Sequence, residues 1–354
     1  MKKVIVGMSG GVDSSAAALL LKNQGYDVTG VTLKLFSQED VSGTKTCGSL
    51  SDISDARNAA DKMGFDHQVV DLSDDFRRYV MKYFCDSYFS GDTPNPCIEC
   101  NRHIKFGAML DYALESGYDY IATGHYAVCE YDELSSRWLL KRPKDRSKDQ
   151  TYVLYSLTQE QLSHILFPLG NMEKSETRDV AESAGLTNSH KSDSQDICFV
   201  PDGDYTGFIR KFTGNEAQSG MFLDVDGNIL GEHRGIINYT IGQRKGLGVS
   251  AGRPLYVVKK NTLNNTVVLG DEKDLYTDSL IAYDVNLISV PEITEPIRIT
   301  AKTRYSQKEQ TAVLSSLGNG EYLVQFEAPQ RAVTSGQAVV FYDGDIVVGG
   351  GIIK

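Results

Sequence analysis

Chemistry-bearing residues cluster first at Ser9-Gly10-Gly11-Val12-Asp13-Ser14. This run lies between an apolar stretch, Val4 to Val6, that reads as a strand and a stretch, Ala16 to Leu21, that reads as a helix. Glycines at such a junction let the backbone turn tightly and point N–H groups at a ligand. The helix N-terminus adds partial positive charge, so the segment predicts a phosphate cradle. It is not G-x-x-x-x-G-K-[ST], since no Lys follows the glycines, and it is not G-x-G-x-x-G. Ser9, Ser14 and Ser15 can offer hydroxyl donors to phosphate oxygens. Asp13 would repel phosphate unless a cation such as Mg2+ lay between them, which predicts a metal–pyrophosphate site.

Thiols form the second group. Cys97 and Cys100 make a C-x-x-C within GDTPNPCIECNRHIKFGAML, approached through Pro94 and Pro96, with a helix expected from Lys105 onward. A lone C-x-x-C suits half a zinc site, a redox dithiol or iron–sulfur ligands, and no second pair completes a four-Cys zinc site. Cys198 follows a polar, Ser-rich loop in NSHKSDSQDICFVPDGDY, where His190 and Lys191 could lower a nearby thiol pKa. It reads equally as a catalytic thiol or a buried small hydrophobe. Cys85 and Cys129 read as packing, and Cys47 lies in the polar loop SGTKTCGS.

The third group is basic. RWLLKRPKDRSK, Arg137 to Lys148, carries six cations and one acid in a chain of net charge -11. Such a local inversion suits a phosphate backbone or an ordinary solvated loop. DQTYVLYSLT then reads as a helix start with Asp149 near the cap. INYTIGQRKGLGV brings Arg244 and Lys245 among glycines, and Arg304-Tyr305 pairs a guanidinium with a stacking ring.

These groups need a scaffold. Before about residue 205, strands (Val4–Val6, Val28–Leu35, HQVVDL, YIATGHYAV) alternate with helical patterns (Ser51–Met63, Phe76–Tyr88), predicting an α/β domain with a parallel sheet. Afterwards short β runs with hairpin turns at Asp226-Gly227, Leu317 to Gly320 and Asp343-Gly344 predict mainly-β barrels or sandwiches. A seam near Leu275–Asp284 suggests two β modules, so the expected domains are 1–205, 206–277 and 278–354. The 354 residues hold no apolar stretch long enough to span a membrane. The first strand begins too early for a signal peptide, and the Cys grouping suits a reducing compartment, so a cytoplasmic protein is expected. The excess of 47 acidic over 36 basic residues argues against a general nucleic-acid coat protein but leaves local RNA binding open.

GMSGGVDSS resembles the pyrophosphatase loop of the N-type ATP pyrophosphatases. Together with TPNPCIECNRHIKF, YIATGHYA, KDQTYVLYSL, SHKSDSQDICF, YTIGQRKGLG, AKTRY and VVFYDGDIVVGGGII, it is similar to the bacterial tRNA-specific 2-thiouridylase family, from Val4 to Ile353. The resemblance implies an ATP pyrophosphatase domain followed by two small mainly-β modules, the last a barrel. The implied activity is ATP-dependent thiolation at C2 of the wobble uridine in the tRNAs for Lys, Glu and Gln.

It also implies site residues. Nucleotide contacts fall on Gly7, Met8, Ser9, Gly10, Gly11, Val12, Asp13, Ser14, Leu33 and Gly124. The nucleophile falls on Cys100 and the persulfide on Cys198. Contacts to the tRNA anticodon stem-loop fall on His125, Lys148, Asp149, Gln150, Arg304, Tyr305 and Gln337. The sulfur donor implied is a cysteine desulfurase or a sulfur-relay protein. Where many members carry Asp, this chain has Cys97. That departure admits three readings: a [4Fe–4S] cluster on Cys97, Cys100 and Cys198, a resolving thiol for a Cys100–Cys198 disulfide, or a side chain that fills space. The β modules are expected to grip and position the RNA, leaving the chemistry to the first domain.

Overall fold

A computed structural model describes residues 1–36, 50–186 and 197–354. Cys47, His190 and Lys191 lie outside the described residues. Strands β1 (Lys3–Gly7), β2 (Asp27–Lys34), β3 (His67–Asp71) and β4 (Tyr120–Ala122) are joined later by β7 (Ile165–Leu166), after a hairpin of β5 (Val128–Asp132) and β6 (Arg137–Lys141). The sheet runs β3-β2-β1-β4-β7, and every pairing in it is parallel. Val4, Ile5 and Val6 are wholly buried, as a continuous apolar run must be when both sheet faces are covered. Strand order reverses at β1: the chain goes to β2 and β3 on one side, then to β4 on the other. The crevice beyond the end of β1 is therefore the topological switch point, where open α/β sheets bind ligands. The glycine loop lies there, followed by helix Val12–Asn23. The pattern Ala56, Ala59, Ala60, Met63 becomes the buried face of helix Leu50–Met63.

Helix Tyr205–Thr213 and two mainly-β units follow. Strands β8 (Gly220–Leu223), β9 (Ile229–His233), β10 (Tyr256–Asn261) and β11 (Thr266–Gly270) form a sheet in the order β10-β11-β8-β9 around Phe222, Val257, Val267 and Leu269. Strands β12 (Tyr276–Leu287), β13 (Ile297–Lys302), β14 (Gln310–Gly318), β15 (Glu321–Arg331), β16 (Ala338–Asp343) and β17 (Ile346–Ile353) run in the order β12-β15-β14-β13-β16-β17. Pairing of β12 with β17 closes them into a six-stranded barrel, which leaves those strands no open edge. The expected hairpin turns all form, between β8 and β9, β14 and β15, and β16 and β17.

Three local expectations change. The basic run does not form a loop throughout, because Arg137–Lys141 is strand β6, and its pairing at Ile346↔Lys141 adds the β5–β6 hairpin to the barrel sheet. Residues from the first 205 positions are thus built into the last unit. Tyr152 Oη donates to Ala338 O at 2.8 Å, and Asn286 Nδ2 donates to Tyr155 O at 2.7 Å and Leu157 O at 2.8 Å. Second, no α-helix starts at Asp149. Two 3-10 turns, Arg146–Lys148 and Thr151–Val153, let Tyr152 and Tyr155 bury against the barrel, and Asp149 Oδ1 accepts from Thr151 N at 2.9 Å. Third, the helix expected over Phe76–Tyr88 contains a π-helical stretch, Arg77–Met81. The seam near Leu275–Asp284 also falls mostly inside β12, which starts at Tyr276. No helix among the described residues is long and apolar enough to cross a membrane.

Candidate nucleotide and thiol site

The cradle is shaped by close packing. Gly10 has φ +70°, and a Cβ there would lie 2.7 Å from Asp52 O, so only glycine fits between the loop and helix Leu50–Met63. Gly124 presses on the loop from the opposite strand: a Cβ would sit 2.7 Å from Ser14 N and 2.8 Å from the Asp13 carbonyl carbon. Gly11 is the N-cap of helix Val12–Asn23 and gives it no side-chain cap. The first-turn N–H groups, which no helix can satisfy internally, therefore face the crevice. The serines divide differently from expectation. Ser14 Oγ donates to Gly11 O at 3.1 Å and accepts from Ser9 N at 3.2 Å, while Ser15 Oγ donates to Gly11 O at 3.0 Å. Ser15 is fully buried and Ser14 nearly so, leaving Ser9 as the exposed hydroxyl. Behind the loop, Thr32 Oγ1 donates to Met8 O at 2.8 Å and lies 2.9 Å from His67 Nε2. Met8 and Val12 are buried, and Leu33 is half-buried.

Asp13 is held by a cation from the protein itself. Lys174 Nζ lies 2.8 Å from Oδ1 and 2.7 Å from Oδ2, and Tyr126 Oη donates to Oδ1 at 3.0 Å. Lys174 is 7% exposed and sits at the first position of helix Lys174–Ser183, capped by a Glu173–Glu176 box. Sequence reading missed this lysine. The available signal was a cation in the first turn of a helix, where the dipole disfavours it. The charge that sequence reading assigned to a metal at Asp13 is thus supplied by Lys174. Among the described residues no three His, Cys, Asp or Glu side chains group as metal ligands. Among the described residues, therefore, the expected metal–pyrophosphate site at Asp13 has no protein-ligated Mg2+ centre.

The thiols sit on a second framework. Asn95 caps the short helix Pro96–Glu99, its Oδ1 accepting from Cys97 N at 3.2 Å, and Pro96 occupies the first turn. Cys100 opens a π-helical stretch, Cys100–Ala108. The wider turn loosens the ladder, and Gln161 Nε2 donates to Phe106 O at 2.8 Å. Asn101 Nδ2 donates to Val153 O at 2.9 Å, pinning the residue after the nucleophile candidate. Cys100 is 8% exposed in an aromatic cluster with Phe76, Phe84 and Phe199, and half-buried Cys198 packs against the same cluster. Leu33 packs there too, so the nucleotide sheet and both thiols share one wall. Cys97 is exposed. The iron–sulfur alternative needs Cys97, Cys100 and Cys198 converging, and among the described residues these three do not group as ligands. Burial pushes the Cys85 and Cys129 thiols up to about 12, which fits packing roles.

Among the expected RNA contacts, His125 bridges the two frameworks. Its ring lies 5.7 Å from that of Phe106, and its Nδ1 is 2.7 Å from Thr123 Oγ1. Burial first, then Lys105, holds its pKa well below the usual value, so it is neutral. Tyr305 is 47% exposed, with Lys302 Nζ 5.8 Å from its ring centre, and burial first, then Asp149, raises its pKa. Arg304 instead turns into the barrel end, donating to Ala332 O and Thr334 Oγ1 at 2.8 Å each. Gln337 Nε2 donates to Thr93 O at 2.7 Å and so clamps the approach to the C-x-x-C. Gln150 bonds both ways with the backbone of Tyr126. The basic run is mostly engaged: Arg137 with backbone carbonyls, Lys141 with Glu130, Arg142 with Glu309, Lys144 with Glu176, and Arg146 with Asp345. Arg244 and Lys245 stand exposed on the central unit.

Three family models match in succession: the tRNA methyl transferase HUP domain over residues 2–202, the tRNA methyl transferase PRC-barrel domain over 206–271, and the aminomethyltransferase beta-barrel domain over 277–353. The tRNA-specific 2-thiouridylase MnmA of Acetivibrio thermocellus is 55% identical, the match covering 100% of this chain and 99% of that protein. The enzyme of the same name in Clostridioides difficile is 52% identical over 100% of this chain and 98% of that one. One from Caldanaerobacter subterraneus subsp. tengcongensis is 53% identical over 99% and 98%. With identity above half along its whole length, the chain belongs to the tRNA-specific 2-thiouridylase family.

Proposed function

We propose that the protein catalyses ATP-dependent 2-thiolation of the wobble uridine in the tRNAs for Lys, Glu and Gln, in the cytoplasm. The observation that carries this reading is the end-to-end identity with 2-thiouridylases. The site supports it by setting a phosphate cradle and two thiols against a common wall. The C2 carbonyl of uridine is a weak electrophile with a poor leaving group. Its oxygen attacks the α-phosphorus of ATP, pyrophosphate departs, and the C2 oxygen now carries AMP. The loop residues Gly7 to Ser14, with Leu33 and Gly124, bind the nucleotide. The first-turn N–H groups take up charge on the departing phosphates, while Lys174 neutralises Asp13 beside them.

Sulfur arrives as a persulfide on Cys198, loaded by a cysteine desulfurase or relay protein. Two routes share one end state. In one, the outer sulfur attacks C2 and AMP leaves, after which the Cys100 thiolate attacks Cys198 Sγ and releases the thiocarbonyl. In the other, Cys100 attacks first and the freed sulfide attacks C2. Either leaves a Cys100–Cys198 disulfide that an external dithiol reduces. Exposed Cys97, four residues after the Thr93 carbonyl held by Gln337, serves as the resolving thiol: it attacks Cys100 Sγ, frees the Cys198 thiolate and leaves a Cys97–Cys100 disulfide for the external dithiol. The units 1–205, 206–277 and 278–354 divide the work, the first doing chemistry and the β units orienting the anticodon stem-loop. His125, Lys148, Asp149, Gln150, Arg304, Tyr305 and Gln337 serve the RNA side, some by contact and some by holding the contacting segments. Purified protein given labelled ATP, cysteine, a cysteine desulfurase and unmodified tRNA should yield 2-thiouridine, AMP and pyrophosphate. Absence of thiouridine under those conditions overturns the reading.

A further inference from the structure

Tyr126 is fastened at both ends to parts of the molecule with different tasks. Its backbone N–H donates to Gln150 Oε1 at 2.9 Å, and its carbonyl accepts from Gln150 N at 3.2 Å. Its hydroxyl, 3.0 Å from both Asp13 Oδ1 and Thr177 Oγ1, gives its one proton to the carboxylate, the stronger acceptor. The residue is 2% exposed, so it has little room to relax.

A second connection runs in parallel. Asp145 Oδ1 accepts from Ser147 N at 3.0 Å, and its Oδ2 accepts from Lys174 N at 3.1 Å. Lys174 Nζ then grips Asp13. Between these links, Gly124 leaves no gap between the 124–126 segment and the loop backbone at Asp13 and Ser14. A displacement of residues 145–150 is therefore delivered to the Asp13 carboxylate through two hydrogen-bonded struts and one van der Waals contact.

We propose that Tyr126, with Lys174, is a positioning residue that couples the 145–150 segment to the pyrophosphate loop, so that RNA and ATP each tighten the other's binding. This rests on the reading that 145–150 meets tRNA and the loop holds ATP. An RNA phosphate drawn to Lys148 settles the 145–150 turn. The turn fixes Gln150 and Asp145, and these fix the carboxylate beside the α- and β-phosphates. Coupling of this kind is reciprocal, so ATP must raise RNA affinity by the same factor. It also gives a reason for the pairing: an ATP engaged with no uridine in place could pass its AMP only to water and would be wasted.

The test uses the full chain and α,β-methylene-ATP, which binds without turnover. Its dissociation constant is measured with and without saturating unmodified tRNA, and the tRNA constant with and without saturating analogue. Wild type should show at least about fivefold mutual tightening. Tyr126→Phe keeps the ring and removes the hydroxyl's bonds to Asp13 and Thr177, and should cut both ratios at least about twofold, the Asp145–Lys174 path remaining, while the melting temperature stays near wild type. Gln150→Leu, which removes the side-chain bond at the other end and leaves the backbone one, should lower the ratios too and stands in should the Phe variant fold poorly. A merely structural role would shift affinities without changing the ratio. Wild-type coupling in both variants, or no coupling in a wild-type enzyme that thiolates tRNA, overturns the coupling alone. Failure of wild type to bind tRNA or to form thiouridine overturns the functional reading as well.

Discussion

The nucleotide loop and the thiol segment lie against one core but are held by opposite means. The loop takes its curve locally: four residues, Met8 to Gly11, join a strand to a helix, and Ser14 and Ser15 turn their hydroxyls onto the Gly11 carbonyl. The thiol segment is assembled from afar. Val153 holds Asn101, Gln161 holds the Phe106 carbonyl, and Gln337 and Ser335 of the barrel hold Thr93 and Asp92. Binding phosphate needs only backbone N–H groups in a fixed curve, which a short motif can specify. Passing sulfur between two thiols needs segments a hundred residues apart brought together and then released, which only tertiary contacts can arrange.

That contrast can be broken at either end. The largest effect is expected from Cys198→Ser, which should reduce thiouridine formation roughly a thousandfold or more while ATP and tRNA affinities stay within about twofold. Thiolated tRNA resolved on a mercury gel and equilibrium binding decide this together, and near-normal turnover removes Cys198 from the sulfur path. Next, Gly124→Val places branched carbon against the Asp13–Ser14 backbone. Overpacking of this sort costs about 1–3 kcal/mol, so ATP affinity should fall about tenfold to a hundredfold, with alkylation of Cys100 unchanged. Equal loss of both would mean that the two regions are one unit.

Lys260 tests the far junction. Its Nζ is buried with no hydrogen-bond partner among the described residues, its Cβ lies beside Gly91, and burial brings its pKa down to about 8 from 10.5. Between those values the folded protein holds fewer protons than the unfolded chain, so stability rises with pH across that window and is flat below it. Lys260→Met should abolish the slope and add about 2 kcal/mol at neutral pH, read by denaturant titration at several pH values. The smallest effect belongs to Gln337→Leu. Loss of about 1 kcal/mol from the clamp should speed alkylation of Cys97 and Cys100 about fivefold and leave nucleotide affinity alone. An unchanged rate would mean that the approach to the C-x-x-C is held elsewhere.

The same contrast decided what sequence could reveal. The strand–glycine–helix junction, the alternating first domain and the Asp-Gly and Asn-Gly hairpins are short-range patterns, and each formed where expected. The Asp13 partner was harder to read, because Lys174 lies 161 positions away and its place in a helix's first turn marks it as unusual without naming its partner. Nor did the fate of the basic run. Arg137 to Arg146 read as free charge, yet most of those cations meet carboxylates or carbonyls contributed by other elements. Exposed pairs of this kind are weak and can be exchanged for phosphate, so composition counted the cations correctly but not their availability. The π-helical start at Cys100 depends on Gln161 reaching across to Phe106, a contact that no periodicity encodes.

The hairpin of β5 and β6 has a consequence for how the molecule is made. Its sheet neighbour, β17, enters the chain roughly 200 residues later. During synthesis at about 5–20 residues per second, that leaves Leu139 and Leu140, buried in the finished protein, waiting about 10–40 seconds for their cover. The parallel sheet can form early, but its appended hairpin stays an open, apolar edge until the barrel closes. Nascent chains stalled or truncated before β17 should therefore be the forms that chaperones hold and that aggregate, however intact their nucleotide loop.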